Sequence, residues 1–271
     1  MTRILTDQIA LERNRARASK NMATFLHEAA ADEIKDRLQL VKKAFTEPAI
    51  VNSYPKIWAN VLNQSLQVPP SDTLGLKEDA HNLVIHAMSL HWANDPVGQL
   101  IQARRALEPD GLFLAVFFGG RTLHELRSSL AQAEAEITGG LAPRVVPMGD
   151  IRDLGALLQR GGFALPVADI VPLTVSYATP FDLMRDLRAM GEANAMNERL
   201  RHFSRRDVFL RAYEIYSDTF SDEHRRVQAT FELIVLTGWA PGPGQPQALR
   251  PRSARSRLAD ALGTNEFPLK D

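Results

Sequence analysis

The stretch RRALEPDGLFLAVFFGG, residues 104–120, decides the fold because a helix end, a turn and a buried strand follow one another in it. Upstream, Asp95 can cap a helix that Pro96 begins. The Pro-Asp-Gly tripeptide at 109–111 predicts a turn. Residues 112–118 are apolar at every position, which is typical of a strand covered by helices on both faces. The stretch therefore predicts one half of an α/β crossover unit.

Hydrophobic spacing predicts further elements on both sides of this stretch. Residues 83–87 are a second short buried strand, and the segment SLHWAND follows them. A Gly-Gly pair at 139–140 and another at 161–162 are typical helix ends. The other predicted elements, in chain order, are two helices in residues 1–45, a strand at 48–51, a helix at 56–66, helices beginning near Leu123 and Asp150, a strand from Phe163, helices within 181–220 and a final strand at 231–236.

Composition narrows the class of protein only a little. The formal net charge of the 271 residues is zero, so the total charge does not imply nucleic-acid binding. We find no apolar run of membrane-spanning length and no signal peptide, and we therefore expect a soluble, cytoplasmic protein. The chain has no cysteine, which excludes disulfides, thiolate metal sites and cysteine nucleophiles. The expected partners are a small-molecule, carrier-protein or protein substrate, with no nucleic acid and no membrane span.

The order strand, SLHWAND, helix, LEPDG, strand resembles the middle of the class I S-adenosylmethionine (SAM)-dependent methyltransferases. The segments SLHWANDPVGQLIQARRALEPDGLFLAVFFGGRTLHELR, IRDLGALLQRGGF and TPFDLMRDLRAMGEANA are similar to one branch of that family. The branch contains the BioC malonyl-carrier-protein methyltransferase and a mitochondrial complex I assembly factor. The resemblance implies a Rossmann-like α/β sheet with helices on both faces, SAM as cofactor, and an acceptor that is a small carboxylate, a carrier-bound group or a protein.

Together, pattern and resemblance predict four parts of the chain. Residues 1–45 are N-terminal helices, and residues 241–271 are a tail rich in proline and arginine. Residues 46–180 and 228–240 form the methyltransferase-like core. Residues 181–227 are a helical insertion, which the resemblance places as a cap over the active-site edge of the sheet.

The turn after the first strand departs from the family pattern. Class I methyltransferases hold their cofactor against a glycine-rich turn there, because missing side chains let the backbone approach the ligand closely. This chain has Asn-Ser-Tyr-Pro at 52–55, and no glycine precedes Gly75. Pro55 also removes a backbone donor, and Tyr54 adds bulk where the cofactor would lie. The cofactor loop is therefore predicted to be degenerate.

Spacing predicts that the N-terminal half of the sheet is shortened. Only the 30 residues 53–82 separate the first strand from the strand at 83–87. One βαβ unit needs roughly 30 residues, so two helix-strand units do not fit and one crossover is missing or reduced to a loop. The acidic residues that remain for a cofactor contact before His86 are Asp72, Glu78 and Asp79.

The candidate catalytic residues are His91 and Trp92, which follow a strand at the edge where ligands collect in open α/β sheets. Packing of a strand-helix corner is the alternative explanation for this pair. Because alternation along a strand separates His81 from His86 and no acidic cluster accompanies them, we expect no metal site. The candidate cofactor-binding residues are Asn52, Ser53, Asp72, His86 and Met88.

Charged and aromatic groups elsewhere have simpler explanations. Basic residues near the N-terminus could contact an anionic substrate or carrier, but a solvated helix face is the preferred interpretation, and the same holds for the tail arginines. Aromatic residues of the cap and the last strand could line a substrate pocket, with core packing as the default. These groups are Arg13, Arg15, Arg17 and Lys20; Arg250, Arg252, Arg255 and Arg257; and Tyr213, Tyr216, Phe220 and Trp239.

Two functions from different classes follow. The first is a SAM-dependent methyltransferase whose cofactor is held by an unusual turn at 52–54, and which transfers the methyl group by in-line displacement. The second is a catalytically degenerate methyltransferase fold that acts as a protein-binding or assembly factor. The missing glycine turn favours the second function, and the well-matched remainder of the chain favours the first.

Overall fold

The computed structural model describes residues 4–62, 64–246 and 263–264. The chain divides into a compact unit, Met1–Pro241, and a second unit, Gly242–Asp271. Within the second unit, the N–H of Gln245 donates to the carbonyl oxygen of Gly242 at 3.4 Å and closes a turn. The tail arginines Arg250, Arg252, Arg255 and Arg257 lie outside the described residues.

The first unit is built on one six-stranded mixed sheet with the strand order β2-β1-β3-β4-β6-β5. The first four strands in this order are parallel, whereas β6 runs antiparallel to both of its neighbours. Their bounds are β1 Pro48–Val51, β2 Leu66–Val68, β3 His81–Ala87, β4 Leu107–Gly119, β5 Ala164–Tyr177 and β6 Val227–Trp239. Parallel β1 and β3 end side by side, so their carboxyl ends share one edge of the sheet.

Helices cover both faces of the sheet, as predicted. They are α1 Gln8–Ala18, α2 Phe25–Leu40, α3 Pro55–Trp58, α4 Pro96–Ala106, α5 His124–Thr138, α6 Ile151–Arg160, α7 Pro180–Ala189 and α8 Arg206–Phe220. The predicted caps are present: the Asp95 side chain accepts the Gly98 N–H, and the Asp150 side chain accepts the Arg152 N–H. Gly139 ends α5 in the left-handed conformation that favours glycine.

Alternation along β4 divides the core into two layers. Leu112 and Leu114 pack in the layer formed with α2, α5, α7 and α8. Phe113 and Phe117 face the other way and pack with α4 and α6. All four side chains are almost completely buried. The uninterrupted apolar run that the sequence shows at 112–118 is therefore explained by helices on both sides of the strand.

The Pro-Asp-Gly segment differs from its prediction, because it lies inside β4 rather than before it. His81 pairs with Leu107 and Leu83 pairs with Leu112, so four residues of β4 stand opposite one residue of β3. Asp110 adopts a positive φ of 63° at this irregularity. The Pro-Asp-Gly segment therefore forms a large bulge within β4, between the two portions of the strand that pair with β3.

The shortened N-terminal half is present, but the helix predicted at 56–66 is wrong. The helix α3 ends at Trp58, and Leu66 already belongs to β2. Pairing of β2 with β1, from Ala49 with Leu66 to Val51 with Val68, takes the residues that would extend the helix. In addition, Asn60 is a weak helix former, and Gln64 adopts a positive φ of 62°, which does not occur inside an α-helix. Among the described residues no helix follows β2 before β3.

Among the described residues, no helix has both the length and the apolar character that a membrane crossing requires.

Phe113 provides a test of the core layer that β4 forms with α4 and α6. Its side chain is completely buried and stacks on Phe163, with ring centroids 4.7 Å apart. We expect Phe113→Ala to lower the free energy of unfolding by about 3–5 kcal/mol, because it removes apolar contacts and leaves a cavity. The measurement is chemical denaturation. Leu40→Ala is the control, since Leu40 is 82% exposed, and should change stability by less than about 0.5 kcal/mol. Equal effects of the two variants would contradict the assignment.

Candidate functional site

Two cavities lie at the carboxyl edge of the sheet, where open α/β folds bind ligands. The first, cavity A, has a volume of about 530 Å³ and lies at the ends of β1 and β2; its lining includes Arg15, Asn52, Ser53, Gln67, Ser71 and Asp72. The second, cavity B, has a volume of about 270 Å³ and lies under α7 and α8; its lining includes Trp92, Phe118, Met184, Leu187, Glu192 and Phe209. The two linings share no residue.

Cavity A brings together three of the five predicted cofactor residues, Asn52, Ser53 and Asp72. The Asn52 side chain joins the turn to β2: its Nδ2 donates to Gln67 Oε1 at 2.5 Å, and its Oδ1 accepts the Tyr54 N–H at 2.8 Å. The Ser53 hydroxyl is buried and has no partner among the described residues. Asp72 is exposed and lies on the loop that follows β2. Their role in binding a cofactor stays a prediction.

Arg15 is the cationic residue in the lining of cavity A, which also contains the acidic residues Glu12 and Asp72. Its Nε and one Nη are buried and have no hydrogen-bond partner among the described residues. Burial lowers the pKa of this guanidinium, although the nearby Glu192 opposes the effect. A buried, unpartnered cation is costly unless a ligand or counter-ion meets it. The preference for a solvated helix face is therefore wrong for Arg15, whereas Arg13, Arg17 and Lys20 are exposed as expected.

Tyr54 does not lie where the sequence predicted, since it is not part of the lining of cavity A. Its ring packs edge-on against His27 with centroids 5.0 Å apart, and its hydroxyl donates to the Met190 carbonyl oxygen at 2.9 Å. Gly191 makes this approach possible, because a Cβ there would lie 2.3 Å from the Tyr54 hydroxyl oxygen. The tyrosine thus fastens the end of α7 to the turn after β1, and leaves cavity A open.

The predicted catalytic pair, His91 and Trp92, is held by the buried carboxylate of Glu192, which follows α7 in the chain. His91 Nε2 lies 3.0 Å from Glu192 Oε2, and the Trp92 indole N–H donates to that oxygen at 2.7 Å. Burial alone raises the pKa of Glu192, but His91, Arg15 and the Trp92 hydrogen bond outweigh it and lower the pKa to about 2. Glu192 is therefore an ionised hydrogen-bond acceptor that fixes the orientation of both rings.

These groups form a wall between the two cavities, which we define as Arg15, Tyr54, His91, Trp92 and Glu192. Arg15 lines cavity A, while Trp92 and Glu192 line cavity B. Gly191 allows this wall to pack closely, because a Cβ there would lie 3.2 Å from the Arg15 Cα as well as against the Tyr54 hydroxyl. These side chains therefore connect the lining of cavity A with the lining of cavity B, and Arg15 and Glu192 interact electrostatically across the wall.

The other two predicted cofactor residues lie outside both cavity linings. His86 is completely buried, and its Nε2 lies 2.7 Å from Gln99 Oε1. Gln99 in turn donates to the Ser71 carbonyl oxygen, so His86 supports the loop that borders cavity A. Met88 packs in the core at a φ of 47°, and its N–H donates to the Val116 carbonyl oxygen. We therefore keep only indirect, supporting roles for these two residues.

The sequence did not lead us to predict a role for Glu192, and it led us to interpret Arg15 as part of a solvated helix face. The signal for Glu192 was present, since it lies in the segment TPFDLMRDLRAMGEANA that carries the family resemblance. Neither residue has a local pattern that reveals its burial, which depends on packing between α1 and the end of α7. The aromatic residues Tyr213, Tyr216, Phe220 and Trp239 do not line cavity B, and Phe209 does.

Comparison with known proteins gives two kinds of curated relative, although no family model matches the chain. "Arginine-hydroxylase NDUFAF5, mitochondrial" from Dictyostelium discoideum is 38% identical over 216 residues, which cover 79% of this chain and 48% of the relative. The human protein of that name is 40% identical over 61% of this chain and 48% of its own length. "Malonyl-[acyl-carrier protein] O-methyltransferase" from Halorhodospira halophila is 34% identical over 63% of this chain and 55% of the relative.

Among solved structures, the YcgJ protein from Bacillus subtilis superposes with a TM-score of 0.50 at 11% identity and covers 79% of this chain and 99% of that chain. The chain is a homologue of this branch and has the class I methyltransferase fold. The predicted resemblance and fold class are thus confirmed. The chain spans about half the length of the curated relatives it matches.

The prediction of a cytoplasmic protein is corrected by these comparisons. The arginine-hydroxylase relatives from slime mould, zebrafish and human are all mitochondrial proteins. This finding contradicts the expectation, which rested only on the lack of an apolar segment and of a signal peptide in the sequence.

Two buried histidines beside this methyltransferase-fold site make stability depend on pH. Burial lowers the pKa of His27 and of His86 to about 4 each. Between the ordinary pKa of about 6.5 and this value, the unfolded chain binds protons that the folded protein does not, so acid favours unfolding. Glu192 has a lowered pKa and adds a loss of stability only at more acidic pH, below its ordinary pKa.

We therefore expect the thermal unfolding midpoint to fall as the pH is lowered from about 7 to about 5. In His27→Phe, which keeps a ring against Tyr54, this fall should shrink by roughly half because one of the two histidines is gone. Circular dichroism melts at each pH measure it. His202→Gln, at an exposed histidine, is the control and should follow the wild type. An unchanged pH dependence in His27→Phe would refute the explanation.

Proposed function

We propose that this protein is a SAM-dependent methyltransferase that binds its cofactor in cavity A. The observation that carries the proposal is the unpartnered guanidinium of Arg15 in a cavity at the ends of β1 and β2. Class I folds bind nucleotide-like ligands at this edge. The confirmed fold supports the same position.

The residues of cavity A fit the polar groups of SAM. A carboxylate would satisfy the buried nitrogens of Arg15, and the Ser53 hydroxyl is a second group without a partner among the described residues. Asp72, on the loop after β2, can accept hydrogen bonds from ribose hydroxyls. The glycine turn is absent, so side chains replace part of the close backbone contact that the family pattern provides. When bound, SAM supplies an electrophilic methyl group on a sulfonium.

The chain's own contribution to transfer would be positioning. His91 and Trp92 stay our proposed substrate-orienting residues, because Glu192 fixes both rings and lines cavity B together with Trp92. Holding an acceptor in line with the methyl group lowers the barrier without any further chemistry from the protein. The acceptor is proposed to be a small carboxylate, a carrier-bound group or a protein. Arg15 of cavity A and Glu192 of cavity B lie within electrostatic range of each other, so the proposed cofactor and acceptor sites adjoin at this wall.

A second function is favoured by the same wall and by the turn after β1. The Asn52 side chain is engaged by Gln67 and by the Tyr54 N–H, and Gly191 at the end of α7 packs closely against Tyr54 and Arg15. A protein that no longer transfers methyl groups could keep this arrangement and act as a binding or assembly factor. Relatives named arginine-hydroxylase indicate that methyl transfer is not the only chemistry of the branch, and they point to a mitochondrial location.

Titration calorimetry with SAM and S-adenosylhomocysteine distinguishes the two functions. We expect both ligands to bind to the wild-type protein, and Arg15→Ala to weaken binding by about tenfold or more, as loss of hydrogen bonds to a charged group does. The control is Arg13→Ala, because Arg13 lies on the same helix with an exposed side chain. It should bind like the wild type.

Folded protein that gives no heat at millimolar ligand would refute cofactor binding and favour the binding-factor function. Binding that is equally strong in Arg15→Ala would instead place the cofactor elsewhere. A thermal melt of each variant shows whether it is folded at the titration temperature, which separates loss of binding from unfolding.

A further inference from the structure

Cavity B has an apolar interior that the proposed cofactor site does not use. Its walls are formed by aromatic, leucine and methionine side chains from β4, α5, α7, α8 and β6, among them Phe118, Leu126, Met184, Leu187, Phe209 and Phe231. Its volume of about 270 Å³ holds about nine groups of the size of a water molecule, at about 30 Å³ each. This is room for a medium-length aliphatic chain.

The polar side chains in the wall of cavity B are almost all engaged by the protein itself. Arg144 donates to both oxygens of Glu134, and its remaining Nη donates to the Ser204 hydroxyl. Glu192 accepts from Trp92 and pairs with His91. In the same lining, Thr122 donates to the Gly119 carbonyl oxygen and Asn194 to the Pro143 carbonyl oxygen.

Arg188 is the exception. It lines cavity B, its side chain is exposed, and no described residue pairs with its guanidinium. A surface groove adjoins the cavity and shares Met184, Arg188 and Phe209 with it. Arg206 lies in that groove, and its guanidinium also has no partner in the described part of the chain. Two free cations therefore stand beside an apolar cavity.

From this arrangement we infer that cavity B is a binding site for an aliphatic monocarboxylate, with the chain inside the cavity and the carboxylate at Arg188 and Arg206. Guanidinium groups bind carboxylates through paired hydrogen bonds, and apolar walls bury the chain. The site is independent of cavity A, because the two linings share no residue.

A cationic ligand fits cavity B less well. The anionic group of the lining, Glu192, already accepts from Trp92, pairs with His91 and has the Arg15 guanidinium within electrostatic range. A second cation at Glu192 would compete with these groups. At the mouth, a cation would meet Arg188 and Arg206 and be repelled. The charge distribution thus selects an anion over a cation of equal chain length.

Decanoate and decyltrimethylammonium test this inference, since they share a chain length and differ in the sign of the charge. We expect calorimetry without SAM to show saturable binding of decanoate and at least tenfold weaker binding of the ammonium. Arg188→Ala should weaken decanoate binding about tenfold. Arg185→Ala is the matched control on the same helix, because Arg185 pairs with Asp182 and lines only the groove. It should bind decanoate like the wild type.

A second variant tests the position of the chain. Met184→Trp adds bulk at the border of cavity B and should abolish decanoate binding while SAM binding and the thermal midpoint stay near the wild-type values. Decanoate that does not bind, binds equally well after Arg188→Ala, or is exceeded by the ammonium would overturn the inference. Because SAM is titrated separately, loss of the carboxylate site and loss of the cofactor site give distinguishable results.

Discussion

The buried carboxylate of Glu192 is the interaction on which the site depends. It comes from the segment after α7, and it receives the Trp92 indole N–H and pairs with His91 from the segment after β3. A buried charge is costly without such partners, and here they come from elements about 100 residues apart in the sequence. This carboxylate, with the Tyr54 hydrogen bond to Met190, joins the helical insertion to the carboxyl edge of the sheet.

That connection also gives the edge its two compartments. On one side, cavity A has polar groups without partners, and on the other, cavity B has apolar walls and satisfied polar groups apart from Arg188, within the described residues. We propose a methyl donor for cavity A and an apolar ligand for cavity B, because these ligands require different linings. The Glu192 wall is the element at which the two cavities adjoin.

The absent glycine turn has a different consequence from the one its sequence suggests. Bulk at Tyr54 predicts a blocked cofactor site, yet the ring turns away from cavity A and packs on His27. Gly191, far away in the chain, provides the space for the tyrosine hydroxyl. The turn after β1 therefore lacks the close backbone approach that a glycine-rich turn allows, and Gly191 makes room for the Tyr54 side chain outside cavity A.

The sequence alone determined the α/β class, the helix caps at Asp95 and Asp150, the buried strand in residues 112–118 and the shortened N-terminal half. These features follow from local chemistry and spacing: a cap needs one side chain, and a strand covered on both faces needs a continuous apolar run. Asn52, Ser53 and Asp72 lie together in the lining of cavity A, because the ends of adjacent parallel strands share one edge, and their role in cofactor binding stays a prediction. Features that depend on distant contacts were decided by the tertiary structure. They are the burial of Arg15, the contacts of Glu192 with His91 and Trp92, the orientation of Tyr54 and the bulge at Pro-Asp-Gly. No local pattern specifies which charged side chain is removed from water, since that is settled only when α1 and the end of α7 pack against the sheet.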